Sequence, residues 1–348
     1  MGSKNQERRQ KIIECAQKHF REKVVKTSTP GGEGRASWRL HLESGSVIAT
    51  LRPNFRRTHL EALALSVISE RCTDTPACLG VVGDILFQTD VGGKRLNQEI
   101  MKLNGRSRED VAHEAIASIF RIQSAAREAR LNTIMPHLGT NADWIRNLVH
   151  AVTALEPFSA GRSKGMNTDA LASYIARPAV QFVKWDCRSG NAAIGDDGRV
   201  RWFDFEYCGL RHGAEDLAWL LGDEAWPLSP EVMEEIVIAA FDPNSAHELR
   251  PYMDYLAVYL TLHCIQRFKL IVKEVRKRGW QSKTRVRKYD DAGIHPEFAI
   301  QICKVGAFFA ARHSLTTLIG RDFEDAQKVF EEVLRSGNGK TEQIEVPA

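Results

Sequence analysis

Residues 182–206 read FVKWDCRSGNAAIGDDGRVRWFDFE. Asp186 and Asp204 sit among apolar and aromatic residues, with Asn191 between them. Buried polar groups cost free energy unless they are paired, so a segment bound for a dry core does not ordinarily carry two carboxylates and an amide. Phosphoryl transfer accounts for all three. It needs a nucleophile aimed at a phosphate, metal ions that neutralise charge, and cations over the phosphate oxygens. An Asp followed five residues later by an Asn places both on one loop, the Asp towards a hydroxyl and the Asn towards Mg²⁺. A hairpin then returns a second Asp to the same metal. Carboxylate and amide oxygens are the hard ligands that Mg²⁺ prefers. Arg188, two residues after Asp186, is placed to lie against the transferring phosphate. For any one of these residues a simple turn or strand cap is the blander account; the joint spacing favours the metal–phosphate reading.

The flanking sequence must hold that loop and hairpin. Asp197-Gly198 is a hairpin-turn signal. Past Gly93 the pattern is mainly helical: SREDVAHEAIASIFRIQSAAREA opens on Ser107 as N-cap, and SPEVMEEIVIAAF on Ser229 with Pro230 at the first helical position. DYLAVYLTLHCIQRFKLIVKEV is apolar nearly all round, as a buried central helix would be. Before Gly93 the period differs. Residues 7–21 suit an amphipathic helix, SWRLHLESGSVIATLRP a hairpin ending at Pro53, THLEALALSVISER a helix from Thr58, and GVVGDILFQTDVGG a strand pair. The outline is a small β-rich lobe (1–93), a linker near 88–94 and a large helical lobe (94–348).

The segments KWDCRSGN, DFE and GLRHGAEDLA resemble the catalytic core of the aminoglycoside phosphotransferase/choline kinase family, relatives of the protein kinases. The resemblance implies an α+β, protein-kinase-like two-lobed fold, ATP and Mg²⁺ as cofactors, and a small-molecule hydroxyl as acceptor. It implies Asp186 as catalytic base, Asn191 and Asp204 as metal ligands, and Asp216 as a buried brace. Lys184 stands where the family's motif has His, and His212 where it has Asp. By the same resemblance Arg52 lies on the ATP phosphates with Glu61 as its ion-pair partner, and the adenine lies along the linker around Phe87–Asp90, with Gln88 and Asp90 as contacts. Glu61 can equally close a capping box from Thr58. Gly31, Gly32 and Gly34 precede a strand and let backbone N–H groups approach phosphate oxygens. A Rossmann site would need a helix there, and no GxxxxGK[ST] run occurs.

Formal net charge is +4, too mild to point to nucleic acid. The seven cysteines, odd in number and without a CxxC pair or partnered histidines, argue against a disulfide frame or zinc site and for a reducing, cytoplasmic compartment. The start is polar, and the longest apolar stretch, Tyr255–Cys264, is too short to span a bilayer, so no membrane partner is expected. The sequence does not fix an oligomeric state. Two other readings stay open. One is a nucleotide-binding pseudoenzyme, motivated by Lys184 and His212. The other is a nucleic-acid module on Lys273–Lys288, with eight Lys or Arg against one acid. Asp223 and Glu224 are the residues that would draw a cationic acceptor.

Overall fold

The computed structural model describes residues 3–30, 32, 36–176 and 181–336. Helix α1 (Ser3–Phe20) precedes a five-stranded antiparallel sheet in the order β1-β2-β3-β5-β4. Its strands are β1 (Lys26–Ser28), β2 (Ser37–His41), β3 (Ser46–Leu51), β4 (Cys78–Val82) and β5 (Ile85–Thr89). The alternation in SWRLH puts Trp38 and Leu40 on one face, where Ile12 and Ala16 of α1 cover them.

Helix α2 (Phe55–Ile68) joins β3 to β4. It starts three residues earlier than Thr58, because Pro53 ends the strand and Asn54 caps the helix through Arg56 N at 3.1 Å. The capping box is therefore absent. Glu61 lies well inside the helix, fully buried.

The remainder is mostly helical: α3 (Leu96–Glu99), α4 (Gly105–Glu128), α5 (Ala142–His150), α6 (Thr168–Ile175), α7 (Ala214–Leu221), α8 (Pro230–Ala240), α9 (Leu249–Arg278), α10 (Lys283–Tyr289), α11 (Pro296–Ala310) and α12 (Thr317–Arg335). Helix α4 begins ahead of the expected cap Ser107, after Asn104. Ser229 caps α8 as expected, accepting from Val232 N at 3.4 Å. Two small antiparallel ladders interrupt the helices. Strand β6 (Gln181–Val183) pairs with β9 (Gly209–Arg211), and β7 (Ala192–Ile194) with β8 (Val200–Trp202). Residues of α2 and β5 share one apolar core with α4, α7 and α9. Among the described residues no helix is long and apolar enough to cross a membrane.

Helix α9 is buried along most of its length and packs against α7 and α11. Where α7 ends, a side chain at Gly222 would meet His263 Cδ2 at 2.5 Å, so glycine is required for that approach. His263 is buried against Trp219, and among the described residues its Nε2 has no hydrogen-bond partner. Burial, reinforced by Arg267, holds the imidazole at about 3, well below its ordinary value. A folded-state pKa below the unfolded one makes stability complete above about 6.5 and progressively lost as pH falls. Between pH 6.5 and 5 this group alone is expected to cost about 2 kcal/mol. His263→Phe fills similar space without titrating. Denaturant melts at pH 7 and pH 5 should show the variant losing about 2 kcal/mol less than wild type over that interval; equal losses would remove His263 as the acid-sensitive group.

Candidate active site

Strand β6 delivers the chain to Trp185 and Asp186, which both take left-handed backbone, at φ +52° and +58°. Successive non-glycine residues there are costly, and the surroundings must enforce them. Asp216, in the first turn of α7, accepts the amides of Lys184 (3.0 Å) and Trp185 (2.8 Å) and the amide of Gln123 (3.0 Å). Glu215 accepts from Trp185 Nε1 at 3.0 Å. Lys184, almost fully buried, donates to the carbonyl of Asp186 at 3.0 Å and lies 5.4 Å from the centre of the Phe205 ring. The substituted motif position thus ties the loop down from behind. His212 is likewise accommodated, stacked on Tyr255 and His247.

Asp186 receives Arg188 Nε on Oδ1 at 2.8 Å and Asn191 Nδ2 on Oδ2 at 3.1 Å. Burial opposes ionisation of this carboxyl, but Arg188 and Lys184 outweigh it and hold it below its ordinary value. It is therefore an acceptor at neutral pH. Asn191 Nδ2 also reaches the Asp186 carbonyl at 3.0 Å, so its Oδ1 is the face turned to other partners. Arg188 is shared with Asp290, 3.1 Å away at the end of α10.

The β7–β8 hairpin closes through Gly195 N to Arg199 O at 2.9 Å, with Gly198 at φ +75°, as Asp197-Gly198 leads one to expect. It is pinned from outside: Trp202 N bonds Asp74 O at 2.8 Å and Trp202 Nε1 bonds Ser118 at 2.8 Å. Phe203 N bonds Asn191 O at 3.0 Å, which sets Asp204 beside the start of the hairpin's other strand. Asp204 is left-handed too, at φ +66°.

Arg52, just past β3, joins the two lobes. It donates to Glu61 at 2.6 Å, to Glu206 at 3.0 Å and to Asp204. Glu61 also accepts Phe205 N at 2.9 Å, so α2 grips the hairpin directly. Three carboxylates around one guanidinium leave the cluster rich in negative charge. Burial pushes the Glu61 carboxyl up to about 7; Arg52 opposes this, and Asp204 and Glu206 add to it.

Asn191 and Asp204 suit a magnesium ion. The Phe203 N–Asn191 O bond brings the two residues next to each other, the Asp204 carboxylate is partly exposed, and it is shared with Arg52. Mg²⁺ keeps several waters and takes few protein oxygens. Among the described residues no group of three or more His, Cys, Asp or Glu is placed to hold a metal ion.

The nucleotide contacts expected from sequence are less uniform. Gly32 is left-handed at φ +94° and closes a turn onto Thr29 at 3.0 Å. Gly31 and Gly34 lie outside the described residues. Gln88 is buried on β5, and among the described residues its Oε1 lacks a hydrogen-bond partner. The Asp90 carboxylate is taken up by Arg39 (2.6 and 2.8 Å), Ser46 (2.7 Å) and Gly92 N (3.0 Å), a clamp that fixes the linker to the sheet. Asp223 and Glu224 are also engaged internally. Asp223 accepts Ser189 N at 2.9 Å, and Glu224 holds Arg267 at 2.6 and 2.8 Å. Sequence reasoning missed Lys184 as a tether, and also Asp290. The run Tyr289-Asp290-Asp291-Ala292-Gly293 reads as a turn, and nothing local signals its contact with Arg188.

Comparison of the sequence with models of protein families, and with curated proteins, finds no match. Comparison of the structure does. The chain is similar to aminoglycoside 2'-phosphotransferase-IIIa in its GDP complex (TM-score 0.53, 12% identity, covering 83% of this chain and 98% of that one). It is similar to spectinomycin phosphotransferase in complex with ADP and spectinomycin (0.51, 12%, 91% and 98%). It is also similar to a choline kinase from Streptococcus pneumoniae (0.50, 12%, 81% and 96%). The chain has the two-lobed, protein-kinase-like fold of the aminoglycoside phosphotransferases and choline kinases.

Proposed function

We propose that the chain is a phosphotransferase that moves the γ-phosphate of ATP to a hydroxyl of a small molecule. The observation that carries this reading is the convergence of Asp186, Asn191 and Asp204 from one loop and the hairpin after it, beside an Arg52–Glu61 pair joining the lobes. In this reading Asp186 accepts the proton of the acceptor hydroxyl as its oxygen attacks. The new O–P bond forms, the bond to the β-phosphate oxygen breaks, and ADP leaves. Arg188 orients Asp186 and lies on the side of the transferring phosphate. Asn191 and Asp204 would hold Mg²⁺, which when bound neutralises charge on the phosphates. Arg52 would face the phosphates, where a guanidinium can bind two oxygens at once. The glycines of 31–34 and the backbone of the 88–94 linker would cover the rest of the nucleotide. Of the two departures that motivate a pseudoenzyme, Lys184 ties the loop to its own carbonyl and His212 packs on Tyr255 and His247, so neither takes the place of Asp186, Asn191 or Asp204.

The test is detection of phosphorylated product, with ATP and a panel of small alcohols over a Mg²⁺ titration. Product should form with at least one acceptor, and Asp204→Asn, which keeps a side chain tolerant of the left-handed backbone there, should raise the Mg²⁺ requirement about tenfold or more. Absence of product with every acceptor, or an unchanged Mg²⁺ requirement in the variant, would overturn the reading or the metal assignment respectively.

A further inference from the structure

After α9 the chain makes an excursion and comes back. Gln281 N bonds Ile294 O at 2.8 Å, which closes residues 281–294 at their base. The excursion carries α10, and Asn97 of α3 holds that helix through Arg287 O at 2.9 Å. At its end Asp290 is left-handed, with φ +49°. The following residue is clamped. Asp291 accepts from Arg278 of α9 at 2.8 and 2.9 Å, and from Ala292 N at 2.8 Å. The turn that carries Asp290 is thus anchored to α3 on one side and to α9 on the other.

That turn lays a carboxylate on the catalytic loop. Asp290 Oδ2 is 3.1 Å from Arg188 Nη2, and both side chains are mostly buried. Gly190, one residue before Asn191, makes room for it: a Cβ at Gly190 would overlap the Asp290 carboxyl. The ion pair and the close approach are separate observations, and both put Asp290 against the loop.

One guanidinium is thereby divided between two acids. Arg188 gives Nε to Asp186 at 2.8 Å and turns Nη2 to Asp290. Burial works against the charge on Arg188, but Asp290, ahead of Asp186, outweighs it and holds the pKa above its ordinary value. Two other acids near the loop are occupied, Asp223 by Ser189 N and Oγ, and Glu224 by Arg267. Guanidinium and carboxylate pair best through two parallel N–H···O bonds. Without Asp290, Nη2 could turn onto Asp186 and complete such a fork, in competition with Asn191 on Oδ2. The base would then be covered by its own neighbour.

We propose that Asp290 is a positioning residue: it holds one edge of the Arg188 guanidinium away from Asp186, leaving the Asp186 carboxylate open to the acceptor hydroxyl. Its effect on turnover rests on the phosphotransferase reading; its hold on Arg188 does not. Four proteins test it: wild type, Asp290→Asn, Arg188→Gln and the double variant. Asn suits the left-handed backbone at 290 and removes the charge alone. Denaturant unfolding without any ligand reads the pair. Asp290→Asn should lower the folding equilibrium constant about tenfold when Arg188 is present and hardly at all in Arg188→Gln. Steady-state kinetics read the positioning. Asp290→Asn should lower kcat about tenfold, with KM for ATP within about threefold of wild type, and add less than about twofold to the loss in Arg188→Gln. Equal losses of stability in the two backgrounds would overturn the proposal. So would an unchanged kcat in Asp290→Asn, which would make the pair a structural tie, or a kcat loss that persists without Arg188. Coupled stabilities with no product from any acceptor and ATP would leave Asp290 as the holder of Arg188 and remove the phosphotransfer reading.

Discussion

Asp186→Asn lowers turnover at saturating substrates about 10²–10⁴-fold, the usual contribution of a positioned general base. Nucleotide affinity stays within a few-fold of wild type. Asn is the informative substitution because position 186 is left-handed, at φ +58°, a conformation that Asn tolerates and Ala does not. Asn also keeps one carbonyl oxygen for Arg188 Nε, so the loop retains the contact now made at 2.8 Å. What it lacks is a site for the hydroxyl proton. The depressed pKa of Asp186 means that wild type is ionised at neutral pH, so the comparison is between a ready acceptor and none. Steady-state ADP release with the best acceptor, beside direct nucleotide titration, separates the two quantities. More than a tenth of wild-type turnover in the variant would show that another group takes the proton.

The parts of this architecture that sequence revealed were those set by local pattern. The alternation in SWRLH, the turn at Asp197-Gly198 and the all-round apolar helix around Tyr255–Cys264 each follow from spacing within one segment, and each is found. The ends of helices were harder. Thr58 and Ser107 are good caps by type, yet Asn54 and Asn104 precede α2 and α4. At α2 the decision lies with Pro53, which stops β3 and leaves the next residue free to cap. The site was legible where its residues are close in sequence, as in the loop from Asp186 to Asn191. It was illegible where two distant segments meet. Asp290 reaches Arg188 across about a hundred residues, and Lys184 gains its role from Phe205 and the loop's own carbonyls. Asp90 shows the converse. Its position along the chain suggested a nucleotide contact, and its carboxylate is held by Arg39 of β2, reaching across β3 in the sheet.

Arg52→Gln should destabilise the protein by about 3–5 kcal/mol and also weaken nucleotide binding, the largest stability effect expected here. The reason is asymmetry. Arg52 is the cation common to Glu61, Asp204 and Glu206, and Glu61 has no access to solvent. Removing the guanidinium takes away the cation that opposes burial at Glu61, so its carboxyl, already pushed up to about 7, must take a proton, and its remaining described hydrogen bond is from Phe205 N at 2.9 Å. Glu61→Gln alone should cost much less, because the amide oxygen still accepts that bond and no charge is stranded. In the double variant, Arg52→Gln with Glu61→Gln, part of the loss should return, since the buried carboxyl that Arg52 had kept ionisable is gone. Chemical denaturation of the four proteins at one pH gives the cycle, and a coupling of about 1–3 kcal/mol is expected. Lys at position 52 should not rescue, because a single ammonium cannot address three carboxylates from one plane. If Arg52→Gln melts with wild type, or the losses simply add, the pair is incidental to the fold and Arg52 is free to act on the nucleotide alone. A large coupling with intact nucleotide affinity would instead assign Arg52 to holding α2 against the hairpin and remove it from the phosphates.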